Sequence, residues 1–245
     1  MLDIYRKEID SKDRELLSLF SQRLDIVRKI GAVKREMGLP IENTEREEQM
    51  LAERDYSSAE KAFLKSMIRI SKELQKSCFN IYLIGMPFSG KTTLLSNISD
   101  LTDRICVDTD AMTEKHFGMS IPDIFRIHGE TAFRDAEAAA LRECAGHGSM
   151  VVSTGGGILT HAENIPIIRN SGIVVLCDRP LDELCVEYEK NPLSRPLIHS
   201  REELELMYFE RFRPYRENAD IIVDMRKSSC AAEIISFAKE NGLRV

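Results

Sequence analysis

The chain has 245 residues, 43% of them hydrophobic, and a formal net charge of −6, enough length for one large or two small packed units. An acidic balance disfavours a nucleic-acid partner, because affinity for a polyanion needs a net basic surface. No apolar run approaches the ~18 residues of a membrane span, and six cysteines without C-x-x-C spacing read as reduced core residues, so a cytoplasmic protein with no membrane partner and no zinc site is expected.

The charge is divided unevenly. Residues 1–78 carry sixteen Lys/Arg against fifteen Asp/Glu, whereas 79–245 carry eighteen against twenty-five, and this step points to two units, 1–77 and 78–245. From about Leu2 to Met37 there is no proline, and Ile9, Leu16, Phe20, Val27 and Ile30 recur at heptad spacing. One helix of ~35 residues follows. Gly38-Leu39-Pro40 ends it, Thr44-Glu45-Arg46-Glu47 has the capping-box pattern of a second helix, and Ser57-Ser58-Ala59-Glu60 opens a third that runs to about Ser77. Two short helices cannot cover the apolar stripe of one so long. A homodimer through these N-terminal helices is therefore expected.

Arg6, Arg23 and Lys34 fall on or beside that apolar seam, where cations need partners. Arg23 and Lys34 project within ~20° of one another and about 16 Å apart along the axis, a gap that a small dianion could fill. Arg6 lies a further ~25 Å away and can reach the same molecule only from a partner chain. A seam with snorkelling cations is the plainer alternative.

Arg6-x-x-Ile9-Asp10-x-x-Asp13, Leu16-Leu17-x-Leu19-x-x-x-Arg23, Ile30-Gly31-x-x-Lys34, Leu39-Pro40-Ile41, Arg46-Glu47 and Ser71-x-x-x-Gln75 together resemble the all-helical chorismate mutase family. The resemblance implies that Arg23, with Arg6 of the partner subunit, holds the two carboxylates of chorismate. It puts Lys34 and Gln75 on the ether oxygen, Glu47 on the ring hydroxyl and Ser71 in support, and Asn43 where the family often carries an acid. The chemistry is compatible, since a pericyclic rearrangement needs a compacted substrate and positive charge at the breaking C–O bond, with no nucleophile.

Beyond residue 78, the apolar run Ile81-Tyr82-Leu83-Ile84 leads into Gly85-Met86-Pro87-Phe88-Ser89-Gly90-Lys91-Thr92-Thr93. A strand entering Gly-x-x-x-x-Gly-Lys-Thr is a phosphate-binding loop: Gly85, Ser89 and Gly90 let the backbone curl around phosphates. Lys91 charges the outer ones, Thr92 can ligate Mg²⁺, and Thr93 helps open the following helix. Asp108-Thr109-Asp110 follows the next strand, with one acid able to serve Mg²⁺ and the other an acceptor hydroxyl. A helix beginning near Gly129-Glu130 carries Arg134. Strand 150–153 delivers Gly155-Gly156-Gly157, whose entropy cost makes sense where backbone must touch a ligand. Strands at 173–177 and 221–223 complete an α/β unit with a five-stranded parallel sheet and helices on both faces. The Pro-containing stretch 190–198 carries Arg195 and has the form of a lid.

The phosphate loop, Asp108-Thr109-Asp110, Phe133-Arg134-x-x-Glu137, the three glycines, Arg195-Pro196-Leu197 and Arg211-x-x-x-Tyr215 resemble the shikimate kinase family. The resemblance implies ATP and Mg²⁺ as cofactors and shikimate as substrate. Asp110 would hold the ring hydroxyls, Arg134 and Arg211 would clamp the carboxylate, and Gly155, Gly156 and Gly157 would pack on the ring. Asp108 would hold Mg²⁺ with Thr92, and Arg195 would reach the ATP phosphates. Rival readings are another small-molecule P-loop kinase with an inactive helical dimerisation arm, and a nucleotide-gated regulator whose arm binds a partner helix.

Overall fold

The computed structural model describes residues 2–190 and 197–245. Arg195 lies outside the described residues. The chain opens with α1 (Leu2–Glu36), α2 (Thr44–Ala52) and α3 (Ser58–Ser77), as the periodicity predicts. Ser57 and Glu60 close a reciprocal capping box at the start of α3. The cap of α2 sits one residue earlier than expected, because Asn43 is the stronger capping residue: its Oδ1 accepts the Arg46 N–H at 2.9 Å. Thr44 is simply the first helical residue.

Then follow β1 (Asn80–Ile84), α4 (Lys91–Ser99), β2 (Ile105–Asp108), α5 (Thr109–Phe117), α6 (Ile121–His147), β3 (Met150–Ser153), α7 (Asn164–Ser171), β4 (Gly172–Asp178), α8 (Leu181–Lys190), α9 (Arg201–Asn218), β5 (Ile221–Asp224) and α10 (Cys230–Glu240). The sheet order is β2-β3-β1-β4-β5, and every pairing is parallel. All five residues of β1 are buried, which is why its last four, Ile81 to Ile84, read in sequence as an apolar run. Alternation along it divides the core. Ile81 and Leu83 pack with α4 and α10 on one face, and Tyr82 and Ile84 with α6, α7 and α9 on the other.

Inside that core, Asn80 donates to the Tyr82 hydroxyl at 2.9 Å and to the Cys144 carbonyl at 2.8 Å, and accepts from the Met150 N–H at 2.9 Å. Tyr82 and Ser171 are 2.7 Å apart. These buried polar groups are all satisfied, so they fix the register of β1 against β3 without leaving an orphan.

The N-terminal helices dock on this α/β unit through the far end of α1. Val27, Gly31 and Arg35, one helical turn apart, are its buried residues. Arg35 donates to the carbonyls of Ala145 at 3.0 Å and Gly146 at 3.3 Å, the free carbonyl end of α6, where a cation also meets the helix dipole. Burial pulls the Arg35 guanidinium below its ordinary pKa. Gly38, at φ +63°, lies against the backbone of Ile167, and its carbonyl accepts from Asn170 at 2.9 Å. The earlier part of α1 stands clear: Ile9, Leu16 and Leu19 are all exposed.

Candidate active sites

Two cavities meet at the C-terminal ends of β1, β2 and β3, the crevice where parallel sheets hold ligands. The larger, about 720 Å³, is lined by Ser89, Gly90, Lys91, Thr92, Thr93 and Asp108 among others. Gly85 has φ +149°, and a Cβ there would stand 2.7 Å from the Cys177 carbonyl, so only glycine lets the loop leave β1 beside β4. Gly90, at φ +90°, then opens α4 with its amides unshielded. Lys91 is buried, its Nζ donating to the carbonyls of Gly85 at 2.9 Å and Met86 at 2.8 Å. The ammonium is thus braced across the loop.

Asp108 stands opposite. Its Oδ2 accepts from Thr92 at 3.2 Å and Ser153 at 2.8 Å, while Oδ1 caps α5 through the Asp110 N–H at 2.9 Å. Two hydroxyls and one carboxylate converging at a strand end are hard oxygen donors. That set suits Mg²⁺, which takes one or two carboxylates and leaves its other positions to water and phosphate.

The second cavity is narrower and is lined by Asp110, Arg134, Glu137, Arg211 and the three glycines, walled by Phe125 and Ile121. Gly129, at φ +80°, interrupts α6, so a fresh helix start at Glu130 brings Arg134 to the cavity, as predicted. Arg134 is held by Glu137 at 2.9 Å and Glu130 at 3.2 Å and lies over the Phe133 ring. Glu137 is 1% exposed and its Oε1 has no partner among the described residues. Burial raises its pKa while Arg134 pulls it down. Arg211 and Tyr215 both donate to the Gly156 carbonyl, which ties α9 to the glycine strip. Burial pushes the Tyr215 phenol up to about 12, so it donates throughout the physiological range.

A side chain anywhere on the glycine strip would have to displace a neighbouring group. A Cβ on Gly155 would come within 2.7 Å of Asp110 Oδ1, and one on Gly156 within 2.8 Å of the Pro87 ring; on Gly157 it would collide with the Arg134 guanidinium. Asp110 and Gly156 line both cavities.

The shikimate kinase family model matches residues 87–239. The chain belongs to the shikimate kinase family. A shikimate kinase of Clostridium beijerinckii is 38% identical over 162 residues, 65% of this chain and 92% of the relative. Among solved structures, the shikimate kinase of Acinetobacter baumannii in complex with shikimate superposes with a TM-score of 0.63 at 30% identity, covering 68% of this chain and 96% of that one. The enzyme of Aquifex aeolicus gives a TM-score of 0.58 at 33% identity, covering 66% and 97%. The N-terminal helices fall outside that kinship and match the chorismate mutase type II family model over residues 5–78.

On those helices, Arg23 donates to Ser71 at 2.6 Å, and Ser71 in turn to the Met67 carbonyl at 2.6 Å. Lys34 donates to the Ile41 carbonyl at 2.7 Å. Gln75 reaches only the Ser71 carbonyl, at 3.4 Å, and its buried Oε1 has no partner among the described residues. Gly31 makes room for that amide, since a Cβ there would stand 3.0 Å from Gln75 Cγ. Glu47 pairs with Lys72 at 2.9 Å. Arg23, Lys34, Glu47, Ser71 and Gln75 therefore converge between α1, α2 and α3. Arg6 does not join them: it pairs with Asp3 at 3.3 Å on an exposed turn. Asn43 has its side-chain oxygen committed to the cap of α2.

Sequence reasoning missed Lys72 and Arg35. Lys72 follows Ser71 directly, and Arg35 follows Lys34 four residues after the permissive Gly31; those adjacencies were the available signals.

Proposed function

We propose that this chain is a bifunctional enzyme of aromatic biosynthesis: an ATP-dependent kinase that converts shikimate to shikimate 3-phosphate, preceded by a mutase that rearranges chorismate to prephenate. The observation that carries the kinase reading is the sharing of Asp110 and Gly156 between the phosphate cavity and the arginine-lined cleft. A hydroxyl held at Asp110 lies on the border that a phosphoryl group must cross.

In this reading the planar guanidinium groups of Arg134 and Arg211 take the shikimate carboxylate by two-point hydrogen bonds. The glycine strip lets the ring lie against backbone, and Asp110 accepts the proton of the attacking hydroxyl as its oxygen bonds to phosphorus and the bond to ADP breaks. Lys91 and the loop amides hold the phosphates in line. Mg²⁺, held by Asp108 and Thr92, supplies charge neutralisation at the phosphates when bound. Arg195, in the segment before Leu197, is assigned to the phosphates as a lid cation.

For the mutase, the reacting C–O and C–C bonds lie within one molecule and no proton moves. Arg23 and Arg6 of the partner subunit compact the dicarboxylate, Lys34 and Gln75 donate to the ether oxygen as it gains charge, Glu47 receives the ring hydroxyl, and Ser71 braces Arg23. Asn43 keeps a supporting place at the rim. The weakly held Gln75 amide is well suited to turn toward a ligand. A homodimer with α1 as its core would cover the exposed Ile9, Leu16 and Leu19 and complete the site. The two halves are separate units that meet near Ser77–Phe79.

The deciding experiment is a pair of assays on the intact chain: ADP formation dependent on shikimate, and loss of chorismate absorbance. Phosphorylation of gluconate or a nucleoside monophosphate in preference to shikimate would overturn the kinase reading. Chorismate stable in the presence of a folded dimer would leave the helices as an assembly arm.

A further inference from the structure

The phosphate cavity holds one more guanidinium, to which no role has been given. Arg179 directly follows β4, and its side chain lines the cavity together with Lys91, Thr92, Glu187 and Lys190. Its Nη1 donates to the Phe88 carbonyl at 3.2 Å and its Nε to Glu183 at 3.0 Å. Its Nη2 stands 3.9 Å from Glu187, which is itself paired with Lys190 at 2.7 Å.

Three features separate this arrangement from an ordinary surface ion pair. Phe88 is one of two non-glycine residues with positive φ among those described, at +68°, a conformation that costs a bulky residue roughly 1–2 kcal/mol. The Arg179 bond holds the carbonyl of the Phe88–Ser89 peptide, whose N–H donates to the Met86 carbonyl at 3.2 Å, so that peptide of the phosphate loop is held at both its polar ends. Secondly, Glu187 puts a third acid on the wall of this cavity, beside Asp108 and Asp110, and its charge there is compensated by two cations. Thirdly, the Arg179 to Glu187 separation of 3.9 Å is an ion pair without a hydrogen bond, so a phosphate oxygen offering a shorter contact can displace the carboxylate.

We propose that Arg179 is a nucleotide-binding residue: it keeps the Phe88 carbonyl while its outer nitrogen passes from Glu187 to a phosphate oxygen of the bound nucleotide. Glu187 is the resident anion that the nucleotide replaces. The inference rests on the reading of residues 85–93 as a nucleotide site.

The test is calorimetric titration of the intact chain with Mg²⁺-ADP, alongside its melting temperature and its half-saturation by shikimate. Arg179→Gln should weaken ADP binding about 10- to 100-fold, the range for one or two charge-assisted bonds, with shikimate half-saturation unchanged. Glu187→Gln should tighten ADP about threefold, because a weak, partly exposed competitor is removed. A purely structural pair predicts the opposite for Glu187→Gln, a lower melting temperature and no gain in affinity. The proposal is overturned if folded Arg179→Gln binds ADP within twofold of wild type, or if Glu187→Gln binds it no more tightly. Should Arg179→Gln not fold, Glu187→Gln and Arg179→Lys decide, the latter expected to lose affinity because an ammonium cannot serve both oxygens. Wild-type protein that binds no ADP would instead remove the nucleotide reading itself.

Discussion

In the α/β unit the described residues assigned to the kinase all come from one chain, most of them at strand ends or helix starts, with Arg211 reaching in from the middle of α9. The buried Lys91 and Arg134 are each held by two partners. The N-terminal helices present a different case. Arg23, Lys34, Glu47, Ser71 and Gln75 converge, yet Arg6 sits on an exposed turn paired only with Asp3, and the apolar residues around it face outward. A sheet buried on both faces orients its own site. A helix orients only the residues that share its buried stripe, and on α1 that stripe is short, Val27 to Arg35. The first site is complete within one chain, whereas the second, in the proposed reading, is completed by Arg6 of a partner subunit.

The sharpest way to break that comparison is to remove one site and read the other. Lys91→Ala should lower kinase turnover about 10³-fold or more, since it deletes the charge aimed at the outer phosphates. Mutase activity should stay within about twofold of wild type, because Lys91 donates to the carbonyls of its own phosphate loop, at Gly85 and Met86. A parallel loss of mutase activity in a folded variant would mean that the two sites are not independent.

The assembly claim is tested by complementation. Arg6→Ala and Arg23→Ala should each lose about 10²-fold in mutase rate, the scale for a carboxylate-holding cation. Mixed in equal amounts and allowed to exchange, they form about half hybrid dimers, each with one intact site, so activity should return to roughly a quarter of wild type. Verified exchange without recovery would place Arg6 in its own chain's site or leave the helices without catalytic work.

Arg134→Lys should raise the shikimate KM about 10- to 100-fold while the ATP KM moves little. Charge is kept, but an ammonium cannot make the planar two-point contact, and it also abandons Glu137, whose Oε1 has no partner among the described residues. An unchanged shikimate KM would reduce Arg134 to a brace for the start of its helix.

What sequence conveyed follows from these same physical differences. β1 was legible because burial on both faces leaves an apolar run, and Gly155 to Gly157 because three consecutive glycines have little packing purpose. The α1 helix was legible from its period, although much of the stripe that gave the period is exposed in the single chain. The cap of α2 falls one residue before the expected Thr44 because Asn43, the stronger capping residue, stands directly beside it, and the Thr44 to Glu47 spacing points the other way. Arg35, Lys72 and Arg179 escaped for a common reason. Their partners are a carbonyl of Ala145, a carboxylate of Glu47 and a carbonyl of Phe88, and no periodicity marks a cation that folds onto a group so far away along the chain.

The smallest effect expected is also the one that reads the helical site most directly. Burial holds the Lys34 ammonium below the usual lysine value of 10.5, with Glu47 opposing the shift and Lys72 adding to it. In the proposed mechanism the mutase needs that ammonium charged, so its rate should fall as pH rises through the depressed Lys34 pKa, earlier than an ordinary lysine would titrate. Stability runs the other way. The folded state disfavours the charged form, so the stability penalty is largest below the folded pKa and fades as pH climbs toward the unfolded value. Lys34→Arg should abolish the alkaline limb, because a guanidinium does not titrate there. Lys72→Gln, removing a like charge, should move the limb to higher pH, and Glu47→Gln, removing the opposite one, should move it lower. Both variants shifting it in the same direction would show that the limb belongs to some group other than Lys34.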